Sequence, residues 1–162
     1  MRIPIVDEQD KIIKNIDEDE RQKGDICRVS SLWVTNEKGE FLLAQRNFKK
    51  VRDPGKWGPA VTGTVEEGET YEENIKKEAQ EEIGLTNIIP KIEQKNRMST
   101  SHEFFNQNFI VVVDSKYPFI KQDSEVEQIK WFTKDEILKL FKEKPEFFVP
   151  AFTYEIQYFL DK

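Results

Sequence analysis

The residues best suited to chemistry are glutamates that lie between Gly63 and Leu85. This segment holds eight glutamates and only two lysines, a net charge of -6. The whole chain, with 31 acidic and 25 basic residues, has the same net charge of -6, so all of its excess negative charge lies in this one segment. Clustered carboxylates of this kind can hold a hard divalent cation, because Mg²⁺ and Mn²⁺ prefer oxygen ligands.

The same segment carries the pattern of a single helix. Thr70 followed by Glu73 is a capping-box pair, which predicts that the helix starts at Thr70. Gly84 is suited to the left-handed conformation that ends many helices. Apolar side chains recur every four residues and predict a buried stripe made of Tyr71, Ile75, Ala79 and Ile83.

Three glutamates share one side of this helix. At about 100° per residue, Glu82 projects only about 20° from Ile75, inside the buried stripe. Glu78 lies about 60° and Glu81 about 120° from Ile75, on the same side. A buried carboxylate without a partner is costly, and neighbouring like charges add to the cost, which favours a bound cation. The alternative is an exposed helix with ordinary charge pairs, such as Lys77 with Glu81.

The spacing resembles the signature of the Nudix hydrolase superfamily, which reads G-x5-E-x7-R-E-U-x-E-E-x-G-U with U an apolar residue. From Gly63 this chain has five residues, Glu69, seven residues, and then Lys77-Glu78-Ala79-Gln80-Glu81-Glu82-Ile83-Gly84-Leu85. Eight of the nine specified positions match, and Lys77 replaces the arginine. The resemblance implies an α/β fold, the Nudix α/β/α sandwich with a mixed sheet and a loop-helix-loop metal site, and attack on a diphosphate linkage.

The resemblance also implies roles for single residues. The metal, Mg²⁺ or Mn²⁺, would be held by Glu78, Glu81 and Glu82, with the Gly63 backbone carbonyl. In the family the arginine pairs with the first glutamate of the signature, so we expect Lys77 to hold Glu69 less firmly, because lysine lacks the bidentate fork.

A general base is harder to assign from the sequence. In the family it is sometimes a glutamate of the signature, here Glu81 or Glu82, and sometimes a glutamate from a later loop. Glu125, just before a predicted strand, occupies a position that resembles such a loop. His102 and Glu103 are the rival candidates.

Cations for the phosphates precede the signature. Arg46 and Lys50 correspond to diphosphate-binding residues of isopentenyl-diphosphate isomerase, which this region resembles, and Lys49 and Arg52 lie beside them. The alternative is that these charges only solubilise a surface loop. Trp57 either stacks on a substrate ring or packs in the core.

The isomerase activity itself is not expected. The position of its cysteine corresponds to Thr62, and that of a neighbouring histidine to Thr64. A chain with a single histidine cannot build a metal site from several histidines. The prediction is therefore a hydrolase of a nucleoside diphosphate derivative or a related compound. The alternatives are a non-catalytic nucleotide-binding sensor and a structural Ca²⁺ site, although the alternating loop ligands of an EF-hand are missing.

The elements that position these residues follow an α/β order. We predict a hairpin turn at Asn36 to Gly39 and a loop from Arg52 to Pro59. Beside the helix that starts at Thr70, we predict helices at Lys134 to Phe141 and, after a break at Pro145, at Ala151 to Leu160. Phe109 to Val113, a continuous apolar run, is predicted to be buried on both faces. The predicted strands are Ile3 to Val6, Ile12 to Ile16, Cys27 to Thr35, Glu40 to Gln45, Ala60 to Thr64, Ile88 to Met98, Glu103 to Asp114 and Val126 to Phe132.

Composition limits the remaining possibilities. A length of 162 residues predicts a single Nudix domain, in which residues 1–25 form an N-terminal hairpin extension and residues 143–162 a C-terminal helix. No apolar run is long enough for a membrane span, and the pI near 5.1 argues against nucleic-acid binding. One cysteine, Cys27, excludes an internal disulfide and suits the cytoplasm. The expected partner is a small-molecule diphosphate, and the aromatic C-terminal segment either packs intramolecularly or forms a homodimer face.

Overall fold

The computed structural model describes all 162 residues. It contains nine strands and three α-helices, with short 3-10 turns at Glu18–Glu20 and Pro145–Phe147. In chain order the elements are β1 Arg2–Val6, β2 Ile12–Asp17, β3 Ile26–Thr35, β4 Phe41–Arg46, β5 Trp57–Pro59, β6 Val61–Thr64, α1 Tyr71–Ile83, β7 Lys91–Ser99, β8 Glu103–Val112, β9 Val126–Phe132, α2 Lys134–Glu143 and α3 Pro150–Leu160.

The long strand β3 organises the mixed sheet. Along one edge it pairs in parallel with β8 over its whole length, from Ile26 opposite Glu103 to Thr35 opposite Val112. Its other edge pairs antiparallel with β1, β6 and β4 in turn. Strands β7 and β9 extend the sheet beyond β8 and β4. Because β6 lies directly beside β3, the loop that leads into α1 starts at the centre of the sheet.

Helices cover both faces of the sheet. Successive residues of β3 point to opposite faces, so Leu32 packs in the core under α1 while Trp33 packs in the core under α3. The Trp33 ring stacks on Phe159, at 3.9 Å between centroids, and on Phe152, at 5.1 Å. The predicted α/β/α sandwich is confirmed.

The N-terminal hairpin is part of this sheet. Strands β1 and β2 pair antiparallel as predicted, and Val6 of β1 pairs with Ile26 of β3. Ile3 and Ile5 are buried in a core cluster together with Cys27. Residues 1–25, predicted as an N-terminal extension, thus share a core with the rest of the domain.

Two local predictions are wrong. Trp57–Pro59 is the strand β5, not a loop, because it pairs with β4 with Trp57 opposite Gln45. The run from Phe109 to Val113 is not buried on both faces, since the side chain of Val112 is 71% exposed at the end of the strand. The part of β8 that is buried on both faces is Phe104 to Phe109, which includes the polar residues Asn106, Gln107 and Asn108.

The C-terminal aromatic residues pack mostly within the chain. Phe148, Phe152 and Phe159 are buried in the core under α2 and α3, whereas Tyr154 is exposed. No helix combines the length and apolar character that crossing a bilayer requires; the longest has 13 residues.

Candidate functional site

Both ends of α1 are fixed as the sequence predicts. The Thr70 hydroxyl accepts a hydrogen bond of 3.1 Å from the Glu73 backbone N–H, and the Glu73 carboxylate accepts one of 2.9 Å from the Thr70 N–H. Gly84 ends the helix with φ of 67°, in the left-handed region that glycine adopts without strain. Ile75, Ala79 and Ile83 are fully buried, which sets the rotation of the helix and the direction of its glutamates.

Lys77 holds the loop before the helix by a double contact. Its ammonium group contacts the carboxylates of both Glu66 and Glu69. Glu69 also accepts hydrogen bonds of 2.9 Å from the Asn74 side chain and from the Glu66 N–H. Although partial burial opposes it, the contacts with the two glutamates raise the pKa of Lys77. Lysine thus replaces the expected arginine fork by bridging two carboxylates.

The carboxyl groups of Glu78 and Glu82 form an uncompensated acidic pair. Neither carboxyl group forms an ion pair, because the nearby Lys77 and Lys50 are paired with other glutamates. Burial, reinforced by the charge of Glu81, raises the pKa of Glu78 to about 7. Burial and the neighbouring Glu78 and Glu125 also raise the pKa of Glu82. A cation would relieve this repulsion.

Gly63 allows the helix to approach the sheet closely. A Cβ atom at this position would lie 2.9 Å from Cδ of Glu78, closer still to its Cγ, and 3.0 Å from Oδ1 of Asn74. Only a residue without a side chain therefore leaves room for Glu78 beside the strand. The backbone of Gly63 and the side chains of Glu78, Glu81 and Glu82 line one cleft of about 1030 Å³.

The donor set of this cleft suits a hard divalent cation. It consists of carboxylates and a backbone carbonyl, which are the ligand types of Mg²⁺ and Mn²⁺. The structure has no group of three or more His, Cys, Asp or Glu side chains close enough together to form a complete set of metal ligands.

Glu125 lies where the sequence analysis placed the later-loop glutamate. Its carboxylate is close enough to raise the pKa of Glu82, and it forms a 2.5 Å ion pair with the Lys50 ammonium. The loop that carries Glu125 is tied to the end of α1, because the Gln122 N–H donates a 2.7 Å hydrogen bond to the Glu82 carbonyl. Arg46 and Lys50 both line the same cleft, so the predicted cations and carboxylates are brought together.

Three other candidates occupy different environments. The side chain of Trp57 is only 5% exposed, lies outside the cleft, and stacks on Phe147 at 5.7 Å, so the packing interpretation fits and the stacking role on a substrate does not. Glu103 is bound by Arg97 and Ser99. His102 lines the cleft, but burial and the nearby Arg52 lower its pKa to about 4.

The structure adds a set of residues that the sequence analysis missed. The same cleft is also lined by residues that are each at most 4% exposed, namely Ser31, Phe104, Asn106, Phe152 and Glu155. The signal that could have revealed them is the run of polar residues Asn106-Gln107-Asn108, which has apolar residues directly before and after it in the same strand.

Comparisons with known proteins agree with this geometry. A model of the family described as NUDIX domain matches residues 27–152. An uncharacterised Nudix hydrolase of Pseudomonas aeruginosa is 33% identical over 85 residues, which are 52% of this chain and 50% of that protein. The isopentenyl-diphosphate Delta-isomerase of Klebsiella pneumoniae is 34% identical over 55 residues, which are 34% of this chain and 30% of that enzyme. The matched part of this chain thus spans half or less of the length of these two relatives.

A solved structure extends the likeness to the whole chain. The crystal structure of the Deinococcus radiodurans protein DR0079 has a TM-score of 0.82 and covers 98% of each chain. At 21% identity this likeness concerns the fold alone. It includes the N-terminal hairpin and most of the C-terminal helix, which lie outside residues 27–152 that the family model matches.

Proposed function

Because the chain belongs to the Nudix family, we propose that it is a hydrolase that cleaves a diphosphate linkage with the help of Mg²⁺ or Mn²⁺. The observation that carries the proposal is the placement of three helix carboxylates without cationic partners in the same cleft as Arg46 and Lys50. Such a cleft offers oxygen ligands for a metal and cations for phosphate oxygens. A nucleoside diphosphate derivative or a related compound has the matching charge.

Glu78, Glu81, Glu82 and the Gly63 carbonyl would hold the metal. A bound Mg²⁺ or Mn²⁺ neutralises negative charge that develops on the phosphate oxygens. The raised pKa values of Glu78 and Glu82 and the close approach at Gly63 support this assignment. Lys77 acts as a positioning residue, because its contacts with Glu66 and Glu69 hold the loop that precedes the helix.

Arg46 and Lys50 would bind the phosphates. The Nε–H group of Arg46 donates a 2.9 Å hydrogen bond to the Arg52 carbonyl, which orients its guanidinium. Glu125 would accept a proton from the attacking water. Its carboxylate is paired with the Lys50 ammonium, and a phosphate that draws Lys50 away would leave Glu125 free to act as a base.

Isomerisation of isopentenyl diphosphate is not proposed. The likeness to that enzyme covers only 34% of this chain. Thr62 and Thr64 line the cleft at the positions where the isomerase resemblance would require cysteine and histidine. Cys27 is buried and does not line the cleft.

The test is release of phosphate or pyrophosphate from a panel of nucleotide sugars, dinucleotides, nucleoside triphosphates and isopentenyl diphosphate, with Mg²⁺ or Mn²⁺. Glu82→Gln should lower turnover at least a hundredfold with the fold intact. The matched control is Glu72→Gln, on the same helix but in an exposed pair with Lys76, and it should keep full activity. Full activity of Glu82→Gln would overturn the metal-site assignment. Binding of nucleotides without any turnover would favour the non-catalytic sensor.

A further inference from the structure

Asn47, the first residue after β4, uses both polar atoms of its side chain in hydrogen bonds. Its Oδ1 atom accepts the Lys49 N–H at 2.8 Å, and its Nδ2 atom donates to the Asp123 carbonyl at 2.7 Å. On the main chain, its carbonyl accepts the Lys50 N–H and its own N–H donates to the Glu125 carbonyl, both at 3.1 Å. Asn47 is thus bonded to its own loop and to a segment 76 residues further along the chain.

The first loop, residues 47–56, carries Lys50, one of the two cations assigned to the phosphates. The bonds from the Lys49 and Lys50 N–H groups to Asn47 close a turn, a conformation that asparagine stabilises through its side-chain oxygen. This turn brings Lys50 to the cleft, where its ammonium group pairs with the Glu125 carboxylate at 2.5 Å.

The second loop carries Glu125 and is fixed from two sides. On the side of α1, the Gln122 N–H donates a 2.7 Å hydrogen bond to the Glu82 carbonyl, and the Gln122 carbonyl accepts the Glu125 N–H at 3.0 Å. On the other side, Asn47 donates to the carbonyls of Asp123 and Glu125. The turn that ends at Glu125 therefore lies between the end of α1 and Asn47.

The amide of Asn47 is chemically suited to join these two loops. It presents an acceptor oxygen and a donor nitrogen at the end of a short side chain, whereas aspartate has the same shape but no proton to donate. Asn47 is partly buried and does not line the cleft. Any effect of Asn47 on the reaction must therefore pass through the residues that it holds.

We propose that Asn47 is a positioning residue, which holds Glu125 in place relative to Glu82 and Lys50. The inference rests on the proposed function, in which Glu125 accepts the proton of the attacking water. A misplacement of about 1 Å can cost roughly a hundredfold in rate. Loss of the link between the loops should therefore affect turnover far more than stability.

The first test removes only the donor. Asn47→Asp keeps an acceptor for the Lys49 N–H but cannot donate to Asp123. For the diphosphate compound that the protein hydrolyses, kcat should fall about tenfold to a hundredfold and KM should change less than about threefold, because the turn at Lys50 is kept. Asn47→Ser, which keeps a turn-forming oxygen without adding charge, should lower kcat similarly. If kcat is unchanged in both variants, or falls only in the charged one, the inference is wrong.

Asn36→Asp is the matched control. Asn36 closes the turn between β3 and β4 in the same way, because its Oδ1 accepts the Lys38 N–H at 2.9 Å and its Nδ2 donates to Glu40 at 2.9 Å. It does not line the cleft. Both Asn→Asp variants should lower Tm by about 2–4 °C, but the control should keep its kcat. An equal loss of kcat in the control would show that destabilisation alone is the cause and would overturn the inference.

The second test asks whether Asn47 acts through Glu125. In a Glu125→Gln background, adding Asn47→Asp should lower kcat by less than about threefold, because the group that Asn47 positions is already lost. A full further loss would contradict the inference, as would a Glu125→Gln variant that is as active as the unaltered protein.

A third measurement does not depend on turnover. Hydrogen exchange followed by mass spectrometry should show faster exchange of residues 121–126 in Asn47→Asp than in the unaltered protein, while the turn between β3 and β4 does not change. Unchanged exchange of residues 121–126 would overturn the inference.

The tests separate this inference from the proposed hydrolysis. Turnover of the panel that is insensitive to Asn47 would overturn the inference and leave the hydrolase proposal standing. Absence of turnover in the unaltered protein would overturn the hydrolase proposal and, with it, the role of Asn47 in the reaction.

Discussion

Replacing Gly63 with alanine tests the geometry of the site most directly. The added Cβ would lie 2.9 Å from Glu78 Cδ and 3.0 Å from Asn74 Oδ1, where ordinary contacts are longer than 3.4 Å. Asn74 cannot move freely, because it is buried and its Oδ1 accepts the Ser30 hydroxyl at 2.5 Å. Glu78, which is partly exposed, is the side chain that must give way.

The cost to stability should be modest and the cost to turnover large. Forcing one methyl group into a packed site costs about 1–3 kcal/mol, and a flexible glutamate keeps the value near the lower end. For a domain of this size, about 1 kcal/mol lowers Tm by roughly 2–4 °C. Displacement of Glu78 moves a proposed metal ligand, and a misplacement of about 1 Å can cost roughly a hundredfold in rate.

The assay pairs urea unfolding with metal-dependent turnover of whichever diphosphate compound proves to be the substrate. Gly39→Ala is the control, because Gly39 has φ of 74° in a turn with open space around it. Alanine there should cost about 1–2 kcal/mol through its backbone conformation and leave turnover unchanged. If Gly63→Ala is destabilised like the control and keeps full turnover, then the position of Glu78 does not matter for activity and our reasoning about the site fails.

Two further predictions concern side chains that stabilise the fold, the buried Asp10 and the core residue Trp57. Burial alone would raise the pKa of Asp10, but hydrogen bonds from Lys95, Arg28 and Tyr71 lower it below its ordinary value of 3.8. Its contacts therefore stabilise the fold above that pH and are lost as the pH falls through the lower folded value. Asp10→Asn should cost about 1–3 kcal/mol at pH 7 and flatten the dependence of unfolding free energy on pH below about 4; an unchanged profile in urea titrations would contradict this. Trp57→Phe should lower Tm through lost packing without changing the substrate KM. A raised KM would instead indicate that Trp57 stacks on a ring of the substrate.

Local patterns in the sequence are sufficient for α1 and its carboxylates. Caps act over three or four residues, and the apolar stripe fixes which side of the helix is buried, so both ends of the helix and the direction of Glu82 were predictable. The strand β5 was not, because Trp57-Gly58-Pro59 has no strand pattern of its own and becomes a strand only by pairing with β4. The environment of Val112 was also mispredicted, because an apolar run does not show where its strand leaves the core.

Contacts between distant segments were decided by the tertiary structure. Lys77 meets Glu69 as the resemblance implied, but its second contact, with Glu66, depends on how the preceding loop turns. Glu155 lies 47 residues or more from the asparagines that hold it, and no periodicity links them. The sequence by itself determined the family, the acidic helix α1 and the basic residues Arg46 and Lys50 that precede it, since these depend on residue type and on spacing between near neighbours. Only the tertiary structure decided that Glu125 lies beside Glu82 and that Trp57 lies outside the cleft, because such proximity depends on how the strands pair.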